Sequence, residues 1–129
     1  MPLKPVNAEA SSSVSDAFSA DLAFDGSFGT LWAADKNSLP AWLKADFGKK
    51  ITIHSCEPFF DRVMGDYEYK IEYSSDDKTW NIYAEGNNAM ADEWPIQHMK
   101  RVKARYIRIT ILNQTQEPHR VGLWELKIY

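Results

Sequence analysis

The chain has 129 residues, a formal net charge of −3, and a composition of 44% hydrophobic and 26% charged residues. This length predicts one domain large enough to bury its own core, and the composition excludes an intrinsically disordered chain. The acidic balance argues against a nucleic-acid partner, since cationic contacts with phosphates dominate that kind of affinity.

The first regular elements are predicted after a polar N-terminal stretch. Residues 19–26 indicate one helical turn with Ser19 as its cap. Two short strands, AWLKADFG and ITIHSC, are predicted on either side of the segment GKK. Trp32 and Trp42 are expected in the core. Cys56, the single cysteine, excludes an internal disulfide and is expected to be a small buried residue.

The second half of the chain has the clearest period-two alternation. From Tyr67 onward, YEYKIEYS alternates aromatic or aliphatic side chains with polar ones, which predicts a half-buried strand. Turn residues follow, so Tyr67–Ala84 is predicted to be a hairpin. Arg105–Leu112 and the closing LWELKIY are two further alternating strands. Many short strands separated by turn signals predict an antiparallel sandwich or barrel.

One basic run, MKRVKARYIR, stands out against the acidic chain. We interpret it as the solvated face of a strand and its lead-in. Its cations are Lys100, Arg101, Lys103, Arg105 and Arg108.

Signals for catalysis are weak. The three histidines, His54, His98 and His119, have no metal-type spacing, and the chain contains neither a G-x-S-x-G elbow nor a phosphate-binding glycine loop. We therefore expect no enzyme activity. The N-terminal stretch lacks the apolar region of a signal peptide, which leaves a cytosolic protein or a domain of a longer secreted chain as alternatives.

Five fragments stand in the order and spacing of a known superfamily: AFDGSFGTLW, PAWLKADFGKKITI, YKIEYSSDDKTW, ARYIRITIL and GLWELKIY. The chain resembles the coagulation-factor type C or discoidin domain superfamily. It is most similar to bacterial carbohydrate-binding module family 32, commonly appended to secreted glycoside hydrolases. The resemblance implies an all-β, antiparallel jelly-roll sandwich of about eight strands over residues 8–129. Residues 1–7 are then a linker or a cloning remnant.

The resemblance also implies a structural calcium ion in the loop LAFDGSFGT. By this match Asp25 and Thr30 supply side-chain oxygens, and Ser27 stands where relatives more often have Asp or Asn. The carbonyls of Leu22 and Trp124 and the Glu125 side chain complete the ligand set. Calcium accepts six to eight oxygen ligands, including backbone carbonyls, and Gly26 allows a tight loop. The alternative is a plain Asp-Gly turn with Glu125 as an exposed strand residue.

A sugar site is expected on the long loops, because loops on a rigid sheet tend to hold binding residues. The resemblance matches Arg62 to a sugar-binding arginine, but Ala33 stands where galactose-binding relatives often have histidine. The candidate sugar-contacting residues are Arg62, Trp94, Asp35, Lys36, Asn37, His119 and Arg120. Two of them have structural alternatives: Trp94 as a plug at the end of the sandwich, and Arg62 as an ion-pair partner of Asp61 or Asp66.

These observations predict a non-catalytic module that tethers a secreted or periplasmic bacterial glycoside hydrolase to glycan by raising the effective concentration. The alternative is an interaction or spacer domain that packs on its parent enzyme and binds no glycan. Membrane-lipid recognition is disfavoured, since the apolar loop residues Val63 and Met64 have acidic neighbours.

Overall fold

The computed structural model describes residues 1–35, 39–61, 67–87, 96–114 and 121–129. Their strands pair antiparallel in one continuous hydrogen-bonded sheet with the order β2-β7-β3-β6-β4-β5, and β1 pairs with β3. The strands are β1 Asn7–Ala10, β2 Trp32–Ala33, β3 Ala41–Phe60, β4 Tyr67–Ser74, β5 Asn81–Asn87, β6 His98–Gln114 and β7 Gly122–Ile128. Two 3₁₀ helices, Asp16–Phe18 and Ala20–Phe24, lie between β1 and β2.

Strand β3 is longer than the sequence predicts. The expectation of two strands separated by GKK was wrong, because β3 continues through this segment as a 20-residue strand. It bends there rather than ending. Gly48 has φ +80, a conformation that residues with a side chain rarely adopt, and its N–H donates to Asp46 Oδ1 at 2.7 Å. A glycine that resembles a turn signal therefore marks a bend within a paired strand.

The bend divides the sheet into two layers. Before the bend, β3 pairs with β6 from Ala41↔Ile111 to Asp46↔Tyr106, and after it from Ile51↔Ala104 to Cys56↔His98. The first layer continues into β4 and β5, and the second into β7 and β2. Inward side chains of both layers, such as Ile109 and Leu126, form one core cluster. The predicted antiparallel β-sandwich is confirmed, with seven strands in the described residues.

The hairpin of β4 and β5 confirms the prediction from alternation. Tyr67, Tyr69 and Ile71 are buried, so one face of β4 packs on the core. The turn is held by side chains, because Ser74 Oγ accepts the Asp77 N–H at 3.0 Å and Asp76 Oδ1 accepts the Thr79 N–H at 2.8 Å. Polar turn residues thus satisfy backbone donors that the strands leave free.

The two tryptophans expected in the core have different positions. Trp32 is fully buried, and its Nε1–H donates to the Ser12 carbonyl at 3.0 Å. The prediction for Trp42 was wrong, since this side chain is half-buried on the outer face of the first layer. Ala41 and Leu43 occupy the adjacent inward positions. Strand parity therefore overrides the preference of a large apolar side chain for the core.

The N-terminal residues pack along the sandwich. The Leu3 N–H donates to the Ile128 carbonyl at 2.6 Å, and the Val6 N–H donates to the Asp46 carbonyl at 2.8 Å. The side chain of Leu3 packs against the core cluster. In the described part of the chain, neither 3₁₀ helix has the length and apolar character needed to cross a membrane.

Candidate functional site

The residues that flank the long loops meet at one end of the sandwich. The flanking contacts are the Ala34 N–H to the Val121 carbonyl (2.9 Å), the Asp61 N–H to the Gly122 carbonyl (3.1 Å), and the strand pairs Tyr67↔Gln114 and Glu68↔Asn87. Most of the predicted sugar-contacting residues lie outside the described residues: Lys36, Asn37, Arg62, Trp94, His119 and Arg120. Their roles remain predictions. Asp35 is described: it is exposed at the start of a loop, and its N–H donates to Ser12 Oγ at 3.0 Å.

A cluster of buried aromatic side chains lies beneath this end. The ring centroid of Phe60 is 5.3 Å from that of Tyr67 and 4.9 Å from that of Tyr69. The Tyr67 hydroxyl donates to Asp61 Oδ1 at 2.5 Å, which ties the start of β4 to the end of β3. Edge-to-face and tilted ring pairs of this kind stabilise packing beyond their buried area. The loops therefore start from a rigid base.

A second polar contact supports the same base. The Tyr69 hydroxyl is 2.7 Å from His98 Nε2, and burial raises the pKa of Tyr69 to about 12 and lowers the pKa of His98. Gly86 on β5 lies directly over Tyr69, because a Cβ at this position would be 2.4 Å from the hydroxyl oxygen. The two rings are thus held in a pair that is largely neutral near pH 7.

A pair of carboxylates joins the first long loop to the last strand. The loop that follows the 3₁₀ helix Ala20–Phe24 places Asp25 beside Glu125 of β7, close enough for each carboxyl group to shift the pKa of the other. The Gly26 N–H donates to Glu125 Oε1 at 3.1 Å. Asp25 in turn accepts the Ser27 N–H at 2.9 Å and the hydroxyl of Thr30. Gly26 and Glu125, which are 99 positions apart, are therefore brought into one small polar group with Asp25.

The electrostatics of this pair are unusual. The pKa of Glu125 is raised to about 7. Burial is the main cause, and the neighbouring Asp25 carboxylate contributes to the same shift. Burial acts to raise the pKa of Asp25 as well, but hydrogen bonds from Thr30 and Ser27 outweigh it and the net shift is downward. Glu125 Oε2 is buried and has no hydrogen-bond partner among the described residues. The group is therefore short of positive charge, which a proton or a cation would supply.

The structure brings together four of the six predicted calcium ligands: Asp25, Ser27, Thr30 and Glu125. Leu22 lies in the adjoining 3₁₀ helix, and Trp124 is next to Glu125 on β7. Among the described residues, no cluster contains three or more His, Cys, Asp or Glu side chains suited to a metal. A cation here would depend on two carboxylates together with hydroxyl and carbonyl oxygens.

Sequence reasoning missed Lys4 and Asp21 near this group. Both line a cavity of about 460 Å³ that also touches Asp25, and a second cavity of about 210 Å³ lies between residues 1–4 and Glu125. No sequence signal identifies Lys4, because its position follows from the backbone contacts of Leu3 and Val6.

Comparisons with known proteins give a consistent result. The F5/8 type C domain model matches residues 7–126. Chitosan-binding module 1, from a chitosanase/glucanase of Paenibacillus sp. IK-5, has 24% sequence identity and a TM-score of 0.84, with 99% of this chain and 96% of that chain covered. The family 32 module of C. perfringens NanJ, solved with galactose, has 20% identity and a TM-score of 0.75, with 95% and 91% covered.

A larger protein contains a similar region. A family 89 glycoside hydrolase from Clostridium perfringens has 26% identity and a TM-score of 0.78, with 95% of this chain but 14% of that chain covered. A comparison with curated protein sequences found no match.

Proposed function

Because the chain belongs to the F5/8 type C domain family, we propose that it is a non-catalytic carbohydrate-binding module whose glycan binds to the loops at one end of the sandwich. The observation that supports this proposal most directly is the convergence of the loop-flanking residues above a rigid aromatic base. Loops mounted on a stiff sheet can hold polar groups at fixed positions without a deep pocket.

The proposed contacts divide by chemistry. Trp94 stacks on the apolar face of a sugar ring, and Arg62 donates hydrogen bonds to sugar hydroxyls. The remaining polar contacts are Asp35, Lys36, Asn37, His119 and Arg120. The two similar modules were described as a chitosan-binding module and as a complex with galactose. These sugars differ in charge, so the loop side chains rather than the shared fold select the ligand.

The module acts by tethering. A shallow loop site buries few ligand atoms and binds weakly on its own. Linkage to a catalytic domain of a secreted or periplasmic bacterial glycoside hydrolase converts that weak affinity into a high local concentration of enzyme at the substrate. The match to a small part of a large glycoside hydrolase supports this arrangement.

We propose further that the Asp25–Glu125 group holds a structural calcium ion. The donor set fits: two carboxylates lie together, and one of their oxygens, Glu125 Oε2, is buried without a partner in the described part of the chain. Asp25, Thr30, Ser27 and Glu125, with the carbonyls of Leu22 and Trp124, would supply the hard oxygens that calcium prefers. The ion would neutralise the carboxylate pair and fasten the first loop to β7.

The binding proposal is tested by screening the protein on an array of neutral and amino sugars and titrating the best ligand by calorimetry. We expect Arg62→Ala and Trp94→Ala each to lower affinity at least tenfold. Arg101→Ala, which removes an exposed arginine from a strand of the second layer, is the matched control and should leave neutral-sugar affinity unchanged. Absence of glycan binding, or binding that neither loop variant weakens, would refute the loop site and favour a spacer domain.

A further inference from the structure

The inward face of β4 begins with two tyrosines. Tyr67 and Tyr69 are 0% and 2% exposed, and both rings pack against Phe60 in the core. Ile71, at the next inward position, is also fully buried and has no polar atom in its side chain. The core therefore accepts a purely apolar residue along this face, and a buried hydroxyl is costly unless it forms a hydrogen bond. Core packing alone thus gives no reason for either hydroxyl.

The Tyr67 hydroxyl holds the residue that precedes Arg62. It donates to Asp61 Oδ1 at 2.5 Å, and the Asp61 N–H donates to the Gly122 carbonyl at 3.1 Å. Asp61 is thus fixed through its side chain by β4 and through its backbone by β7. Residues 62–66 connect Asp61 to Tyr67, so the hydrogen bond between these two side chains joins the ends of the segment that carries Arg62.

The Tyr69 hydroxyl lies between the two ends of the segment that carries Trp94, residues 88–95. Before this segment, Gly86 of β5 is so close to Tyr69 that a Cβ would lie 2.4 Å from the hydroxyl oxygen. After the segment, His98 Nε2 of β6 is 2.7 Å from the same oxygen. A side chain at position 86 would displace the hydroxyl, so this close approach requires glycine. The second tyrosine therefore connects the end of β5 with the start of β6.

We infer that Tyr67 and Tyr69 are positioning residues of the proposed glycan site, and that each hydroxyl holds one of the two segments that carry its leading contacts. Tyr67 positions Arg62, and Tyr69 positions Trp94. The inference rests on the proposed function, because it concerns the same loop site. Both tyrosines are buried, so they act through these segments rather than by contact with the sugar. A segment that is fixed before binding loses less conformational freedom on binding, so removal of either hydroxyl should weaken binding without removing a sugar contact.

The two hydroxyls act on different segments. Tyr67 and Tyr69 stand two residues apart on one strand, about 7 Å from each other along its axis. The first contacts Asp61, directly after β3, and the second contacts His98, the first residue of β6. Their effects should therefore be separable. Separable effects distinguish positioning from a general loss of stability, which would affect both segments alike.

The first test is amide hydrogen exchange in the absence of sugar, measured by mass spectrometry of peptides that cover residues 62–66 and 88–95. We expect Tyr67→Phe to accelerate exchange at least about threefold in the first segment only, and Tyr69→Phe to do so in the second segment only. The matched control is Tyr73→Phe, which removes a hydroxyl near the other end of β4, about 20 Å from Tyr67, and should change neither segment. Equal acceleration of both segments in each variant, or no acceleration in either variant, would overturn the inference.

The second test measures affinity by NMR titration with galactose or glucosamine, whichever the wild-type protein binds more tightly. Tyr67→Phe should lower affinity about fivefold in the wild-type and Trp94→Ala backgrounds, but less than about twofold when Arg62 is already alanine. Tyr69→Phe should lose its effect in the Trp94→Ala background instead, and Tyr73→Phe should have no effect. Equal losses in all backgrounds would overturn the inference, because the tyrosines would then act on stability alone. Absence of wild-type binding to both sugars would count against the proposed function, and the exchange result would then decide the inference.

Discussion

Carboxylates occur in two contrasting settings in this molecule. On the outer face of the first layer three carboxylates each meet a cation: Asp46 meets Arg105, Asp77 meets Lys44 at 2.8 Å, and Glu72 meets Arg108. At the Asp25–Glu125 group two carboxylates meet each other, and a buried oxygen of Glu125 has no partner within the ranges that the structure describes. The first setting stabilises a surface, whereas the second leaves a charge that only a proton or a ligand can balance.

The contrast separates carboxylates that are paired with cations of the structure from the carboxylate pair that we propose to hold a cation. Outer-face cations also lie over aromatic rings, with the Arg108 guanidinium 3.9 Å from the Trp80 ring centroid and Lys44 Nζ 5.6 Å from that of Tyr106. Such contacts add attraction to the ion pairs. No comparable cation contact is found for Glu125 among the described residues, where only a weaker influence of Lys127 acts on the carboxyl group.

The largest expected effect comes from breaking an ion pair of the first layer. Arg108→Ala removes from Glu72, which is 6% exposed, the closer of its two cations among the described residues and leaves Lys70 at 3.5 Å. We expect a loss of about 2–3 kcal/mol in the free energy of unfolding, because a nearly buried carboxylate loses its main partner and Trp80 loses its stacked guanidinium. Urea unfolding measures this, with Lys103→Ala as an exposed control that should change stability by less than about 0.5 kcal/mol. A loss below about 1 kcal/mol for Arg108→Ala would contradict the structural role.

Calcium should have the next largest effect. At a concentration ten times its Kd, a ligand that binds only the folded state stabilises it by about 1.4 kcal/mol. For a domain of this size that is roughly 5 °C in Tm. We expect this rise when calcium is added to chelator-treated protein, and its loss in Glu125→Gln. Scanning calorimetry measures the Tm. An unchanged Tm of the wild-type protein at millimolar calcium would count against the proposed calcium site.

Alternation could be read from the sequence wherever one face of a strand is buried. It located the hairpin of β4 and β5 and the final strand, because a slip of one residue there would expose a row of aromatic or aliphatic side chains. It did not show that β3 continues through Gly48, since a bend and a turn use the same residue. It also did not place Trp42 outside, because residue size was weighed above the parity that Ala41 and Leu43 impose.

The candidate site was less accessible to sequence reasoning. No local pattern connects Asp25 with Glu125, and only the family resemblance suggested their proximity, which the structure confirms. The ion-pair partners of Arg105 and Arg108 could not be read locally either, since they lie on other strands. Which carboxylates neutralise Arg105 and Arg108 is therefore a property of the fold alone.

The free energy of unfolding of the metal-free protein should depend on pH, and this effect should be smaller than that of Arg108→Ala. The pKa of Glu125 is raised from 4.5 in a free side chain to about 7, so the folded state binds a proton more tightly than the unfolded state. The resulting stability is full below about pH 4.5 and is lost as the pH rises through about 7. We expect a decline of about 1–2 kcal/mol over this interval.

Glu125→Gln provides the matched comparison, since glutamine has a similar shape and does not titrate. Urea unfolding at several pH values between 4.5 and 7.5, in the presence of chelator, should show a much flatter profile for the variant. The variant should also equal or exceed the wild-type protein in stability at pH 7.5. A wild-type profile that rises with pH across this interval would show that the carboxylate pair is not short of positive charge.

The smallest expected effect concerns the turn at Asp77. This residue has φ 62, in the left-handed region that favours glycine, and its carboxylate pairs with Lys44. Asp77→Gly removes an exposed ion pair worth up to about 1 kcal/mol and relieves a backbone cost of similar size, so the net change should stay within about 0.5 kcal/mol. Asp77→Asn loses the ion pair but keeps a side chain in this conformation, so it should be the less stable variant by urea unfolding. A loss above about 1.5 kcal/mol in Asp77→Gly would mean that the pair is essential. A small loss is expected because Lys44 also lies 5.6 Å from the rings of Trp42 and Tyr106, whereas Glu125 Oε2 has no such second partner in the described structure.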